Sequence, residues 1–232
     1  MATGETTPPG RYFLYTFFKA TPAYLQLPKE EKARAIADYL ARMEEFRGPV
    51  TVRPYSTLGL RRDADFLLWL IARDLPAIQA LCEGLRRSAL APYLENAHAL
   101  LAVTRESTYV KEHQKAVPHE DLLASGTGQY LFVYPFVKTR EWYLLPLEER
   151  QRMMNEHIRT GHEFPGIRIN TSYSFGLDDQ DFVVSFEGNE PKEFVSLVMR
   201  LRESGASRYT QRDTPIFTCA KRPLEEILWA LG

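Results

Sequence analysis

His157 closes a helical stretch, LPLEERQRMMNEH from Leu145 to His157, in which Met153 and Met154 occupy the preceding turn on the same face. A lone imidazole on an apolar helical face has two readings. It is either an interior side chain satisfied by its neighbours, or a ligand making one axial bond to a haem iron whose macrocycle lies against Met, Leu, Val and aromatic groups. Metal sites built from protein ligands alone have no support, because the chain contains no HExxH and its cysteines are not paired. Acyl-transfer chemistry is equally unsupported: there is no GxSxG, and neither cysteine has an adjacent histidine. Neither GxGxxG nor a Walker loop occurs, which argues against nucleotide binding.

The elements that would position His157 come in duplicate. RYFLYTFFK at residues 11–19 and YLFVYPFVK at 130–138 both have strand character, and laid side by side they put Tyr15 opposite Tyr134 and Lys19 opposite Lys138. LPKEEK at 27–32 answers LPLEER at 145–150, a proline followed by first-turn carboxylates, which announces a helix in each half. Leu58-Gly59-Leu60 and Phe175-Gly176-Leu177 then open matching turns into buried strands, with second helices beginning near Pro76 and Pro191. Final strands follow at His98 to Thr104 and Pro215 to Ala220.

Each half therefore reads strand, helix, strand, strand, helix, strand, the split βαβ pattern of ferredoxin-like units. The expected fold class is α+β, tandem ferredoxin-like repeats forming a dimeric α+β barrel. Its parts are an N-terminal repeat at 1–104, a linker at 105–129 and a C-terminal, haem-binding repeat at 130–232. Duplication also supplies a control, since a residue needed only for the fold should recur. His157 does not recur; its counterpart is Tyr39.

Composition narrows the partners. With 29 basic and 30 acidic residues in 232, the net charge of −1 offers no long-range field for nucleic acid or an acidic membrane. No apolar run approaches the ~18 residues of a spanning helix. Cys82 and Cys219 lie in apolar periodic segments and read as reduced, buried thiols, which points to the cytoplasm. The first ten residues, MATGETTPPG, lack the basic and apolar parts of a signal peptide and read as a flexible leader.

The run YPFVKTREWYLLPLEERQRM from Tyr134, then His157, then Asn170-Thr171, Ser174-Phe175 and Leu177-Asp178-Asp179, resembles the chlorite dismutase superfamily. Within it the resemblance is nearest to coproheme decarboxylases of the actinobacterial type. That resemblance implies paired ferredoxin-like repeats, a homopentamer, and a porphyrin held in the C-terminal half. It implies an enzyme that uses hydrogen peroxide to decarboxylate two propionates of iron-coproporphyrin III (coproheme), giving haem b. The alternative it leaves is a haem b-binding relative with weak peroxidase activity or a sensing role.

The same resemblance assigns roles. His157 is implied as the proximal iron ligand and Tyr134 as the redox-active tyrosine, a step that a phenylalanine could not perform. Lys138 stands two alternations along the strand from Tyr134, so its ammonium is a candidate to hold a substrate carboxylate. Trp142, Met153 and Asn170 complete the expected cofactor-binding set. Asn170 occupies the place where oxygen-evolving chlorite dismutases carry a distal arginine, so a guanidinium that would hold a reactive oxyanion is missing there. In Tyr109-Val-Lys-Glu-His113 the resemblance finds a distal histidine, making His113 the candidate base for incoming peroxide, with His119 as its rival. Gly205 stands where an acidic partner for the proximal imidazole is expected, leaving Glu203 or a backbone carbonyl to serve.

Overall fold

Aromatic and β-branched residues dominate the first strand of each half, and helices begin where proline and carboxylates end those runs. The computed structural model describes residues 10–105, 107, 109 and 128–232. Contacts divide the chain into two compact units, Met1–Arg105 with Arg222–Gly232, and Glu106–Lys221.

The first unit contains β1 (Tyr12–Ala20), α1 (Pro22–Leu25), α2 (Lys29–Glu45), β2 (Val50–Ser56), β3 (Phe66–Ala72), α3 (Leu75–Arg86) and β4 (Leu94–Val103). Its strands pair antiparallel in the order β2–β3–β1–β4. The second contains β5 (Tyr130–Lys138), α4 (Arg140–Leu144), α5 (Leu147–His162), β6 (Arg168–Tyr173), β7 (Phe182–Gly188), α6 (Pro191–Arg202), β8 (Thr210–Arg212) and β9 (Phe217–Lys221). Here the order is β6–β7–β5–β9, with the short β8 also pairing to the far end of β5. Helix α7 (Leu224–Ala230) follows, and its Ile227 and Leu228 join the core of the first unit. Residues 222–232 thus pack with the first half, whereas the repeat reading assigned them to the second. The result is a mixed fold of antiparallel sheet and seven α-helices among the described residues.

Hydrogen bonds align the halves more finely than the sequence does. Asp65 Oδ2 accepts from Ala20 N at 2.8 Å, and Asp181 Oδ2 accepts from Lys138 N at 2.8 Å. Asp65 N donates to Phe18 O at 2.8 Å, and Asp181 N to Phe136 O at 3.2 Å. Ala20 is therefore the counterpart of Lys138, and Thr16 that of Tyr134. The expected matches of Tyr15 with Tyr134 and Lys19 with Lys138 are displaced by one residue. In a strand that slip exchanges faces. Tyr15 stacks on Trp69 at 5.0 Å, while its neighbours Leu14 and Phe18 pack on the helical core. Neither Tyr134 nor Lys138 recurs in the first unit, so both join His157 among the residues that duplication does not explain.

The helices differ in the same sense. Over 17 residues α2 buries Lys32, Ala35, Ile36 and Tyr39, whereas α5, with 16, buries only Met153 and Thr160. The first unit's helical face is closed by its own side chains. On the second, Ile169 of β6 is 39% exposed.

Candidate functional site

Alternation along β5 turns Phe132, Tyr134, Phe136 and Lys138 toward the helices. The ladder carries that face across the sheet: Tyr134 pairs with Val184 and Val184 with Thr171, while Phe136 pairs with Phe182 and Phe182 with Tyr173. Tyr134 is buried in a cluster with Phe132, Ile167, Phe186, Phe194 and Leu197, its ring 5.8 Å from Phe186 and nearly parallel to it. Burial drives the phenol pKa well above its usual range; Asp213 adds to the rise and Arg202 opposes it. Tyr134 therefore keeps its proton at neutral pH.

His157 arrives from α5, whose start is set by Pro146 and by Glu148 and Glu149 in the first turn. Its Nδ1 is buried with no hydrogen-bond partner among the described residues. Desolvation lowers the imidazole pKa to about 4, the Lys138 charge pushes the same way, and Glu156 opposes. The ring is consequently neutral near pH 7, the form that donates a lone pair to a metal. One turn earlier, Met153 packs with Trp142 and Ala206. Both residues of the expected set thus form a small core beneath α4 and α5.

Lys138 is buried, and its Nζ donates to Ala206 O at 2.7 Å and sits 4.4 Å from the centre of the Trp142 ring. Burial lowers its pKa to about 8. The ammonium is tied to the Gly205–Tyr209 turn, while its backbone N–H is held by Asp181, which also accepts from Tyr143 Oη at 2.7 Å. Lys138 thus couples β5 to the segment beside His157, and its charge is already partnered.

Asn170 stands apart from the others. It pairs with Ser185, which pairs with Val133, so it lies on the sheet face opposite Tyr134. Its Nδ2 is buried there with no hydrogen-bond partner among the described residues. Thr171, the next residue, is the one that shares the face of Tyr134, and it is exposed. Glu203 is exposed and pairs with Arg200 at 2.5 Å, whereas Gly205 N donates to Glu156 Oε2 at 3.4 Å. Glu156, rather than Glu203, is therefore the carboxylate between α5 and this turn. His113 and His119 lie outside the described residues. Tyr109, at the start of their segment, is fixed to α5: its carbonyl accepts from Gln151 Nε2 at 2.8 Å and its hydroxyl from Arg150 at 3.2 Å.

Thr171, Asp181, Arg202 and Asp213 were given no role from sequence, and Tyr143 was read there as packing. Asp181 carried a usable signal, because Asp65 occupies the same place in the matching turn. The others depend on which face a strand presents.

An antiparallel sheet under helices, with a buried tyrosine and a histidine whose Nδ1 has no partner among the described residues, frames the site, and comparison with known proteins gives the family. The chain belongs to the chlorite dismutase family, whose model matches residues 29–222. It is 33% identical over 219 residues to the coproheme decarboxylase of Mycolicibacterium smegmatis, covering 94% of this chain and 93% of that one. It is 25% identical to the chlorite dismutase of Ideonella dechloratans, covering 97% and 81%. Among solved structures, chlorite dismutase from Candidatus Nitrospira defluvii in complex with imidazole superposes with a TM-score of 0.88 at 27% identity, covering 97% and 96%. Members of this family are haem-dependent enzymes.

Proposed function

We propose that this chain is a coproheme decarboxylase, binding iron-coproporphyrin III and using hydrogen peroxide to convert two of its propionates to vinyl groups. The observation that carries the reading is the buried Nδ1 of His157, without a hydrogen-bond partner among the described residues, on an under-packed helix beside a sheet face that presents Tyr134. Those residues fit an iron porphyrin: a neutral imidazole for the metal, and an uncovered strip at Ile169 and Thr171 for the ring. Resemblance to the mycobacterial enzyme over nearly the whole chain supports the same substrate. The repeated element order supports ferredoxin-like repeats as its frame.

Each conversion removes two electrons and carbon dioxide from one propionic acid side chain while one peroxide is reduced to two waters. The bound iron supplies the redox chemistry with peroxide. The chain supplies the rest. His157 holds the metal from α5, with Glu156 close enough to bias its ring. Tyr134 keeps its phenolic proton through burial and can surrender a proton and an electron together to accept a hydrogen atom from the substrate side chain afterwards. Lys138 fixes the turn beside His157, and Trp142 and Met153 make the floor that orients α4 and α5. We place His113 or His119 as the group that takes the peroxide proton.

The test mixes apoprotein with iron-coproporphyrin, titrates peroxide and follows the porphyrin by mass spectrometry. Two successive losses are expected. In Tyr134→Phe, porphyrin binding persists and vinyl formation is abolished. Normal product from that variant removes the tyrosine from the mechanism, and binding with bleaching alone in the wild type favours a haem b-binding protein with weak peroxidase activity.

A further inference from the structure

Beside Tyr134 the strand pairing along one edge of β5 is interrupted. Along that edge β9 pairs with Tyr130 to Val133, and β8 pairs with Val137 and Lys138. Between them the chain leaves the sheet over residues 213–216. Asp213 begins that excursion, and its Oδ2 accepts from Arg202, the last residue of α6, at 2.8 Å. Leu201, the residue before Arg202, and Ile216, at the far end of the excursion, both pack on the cluster that contains Tyr134, which brings the Arg202–Asp213 pair to the rim of that cluster, and both charges act on the Tyr134 phenol.

A carboxylate presented to Tyr134 needs a cation, and the neighbouring cations are not equally free to provide one. Lys138 is buried and bonded to Ala206 O. Arg200 is shared between Glu163 at 3.7 Å and Glu203 at 2.5 Å. Arg202 has one carboxylate partner among the described residues, and its side chain is 60% exposed. An exposed pair of this kind is weakly held and readily exchanged, and the guanidinium fork suits any carboxylate.

We propose that Arg202 binds the substrate propionate presented to Tyr134, and that Asp213 is its resting counter-ion, so that binding exchanges one carboxylate for another. This rests on the decarboxylase reading and deepens it. Because the carboxylate held by Arg202 is one that the reaction removes, the contact exists for the substrate and disappears in the product. Arg202 then contributes to product release as well as to substrate choice. Asp213 reclaims the guanidinium once the carboxylate is gone.

The test is binding without peroxide, by absorbance titration of ferric coproporphyrin and of haem b into wild type, Arg202→Gln, Arg202→Lys and Asp213→Asn. Arg202→Gln should weaken coproporphyrin binding about 10-fold, the loss of a charge-assisted contact, and leave haem b binding unchanged. Arg202→Lys should recover part of the loss. Asp213→Asn should tighten coproporphyrin binding several-fold, because the competing charge has gone. Equal weakening for both porphyrins, no effect of Arg202→Gln, or weaker binding in Asp213→Asn overturns the assignment. Failure of the wild type to bind coproporphyrin at all overturns the decarboxylase reading, and this inference with it.

Discussion

The protonation of His157 reflects the environment it occupies. His157 titrates at about 4 in the folded apoprotein against an ordinary 6.5, because burial and the Lys138 charge both disfavour the cation. Between those values the unfolded chain binds the extra proton and the folded chain does not. The stabilising contribution is therefore complete above pH 6.5 and is lost as the pH falls toward 4. Urea unfolding of the apoprotein at pH 7 and pH 5 should show that loss, and His157→Gln should reduce the difference between the two midpoints; an equal difference in both proteins would place the pH dependence elsewhere. The residue itself was legible from the sequence, since its helix repeats and it does not. Its partners were less so: Lys138 was expected to reach a substrate carboxylate, and the structure shows its ammonium bonded to Ala206 O.

At the scale of elements, register decides which side chains meet the site. The β6 strand pairs Thr171 with Val184 and Asn170 with Ser185, so only Thr171 shares the face of Tyr134. Thr171→Trp should block porphyrin uptake by filling the strip beside Ile169. Asn170→Ala should leave the porphyrin absorbance spectrum and affinity close to wild type. The reverse pattern in titrations of the two variants would show that the strand has the other register when loaded. Spacing from His157 pointed to Asn170, and a count along the chain cannot see which face a residue presents. With a period of two, adjacent residues present opposite sides of the sheet.

Considered as a whole molecule, the chain carries two similar units, and the proposed function puts the chemistry in one of them. In the first, Ile36, Tyr39 and Tyr24 fill the space beneath the helices and are at most 2% exposed. Thr16 and Ala20 stand where the second unit has Tyr134 and Lys138. Porphyrin should bind at one equivalent per chain, and Tyr39→His should not raise that number, because the added imidazole enters a filled core rather than an open face. A spectroscopic titration reaching two equivalents in Tyr39→His would show that the first unit retains space for a ligand.

The amino-acid sequence by itself determined the elements, their repeated order and the asymmetry at His157, because helix starts, strand runs and a missing repeat are local patterns. Family resemblance added Tyr134 and the chemistry expected of it. Only the tertiary structure decided that Tyr134 has Thr16 as its counterpart, that Thr171 rather than Asn170 shares its face, and that Arg202 pairs with Asp213. Those facts depend on pairing between strands and turns distant in the chain. Hydrogen-bond registry sets them, and composition and spacing do not record it.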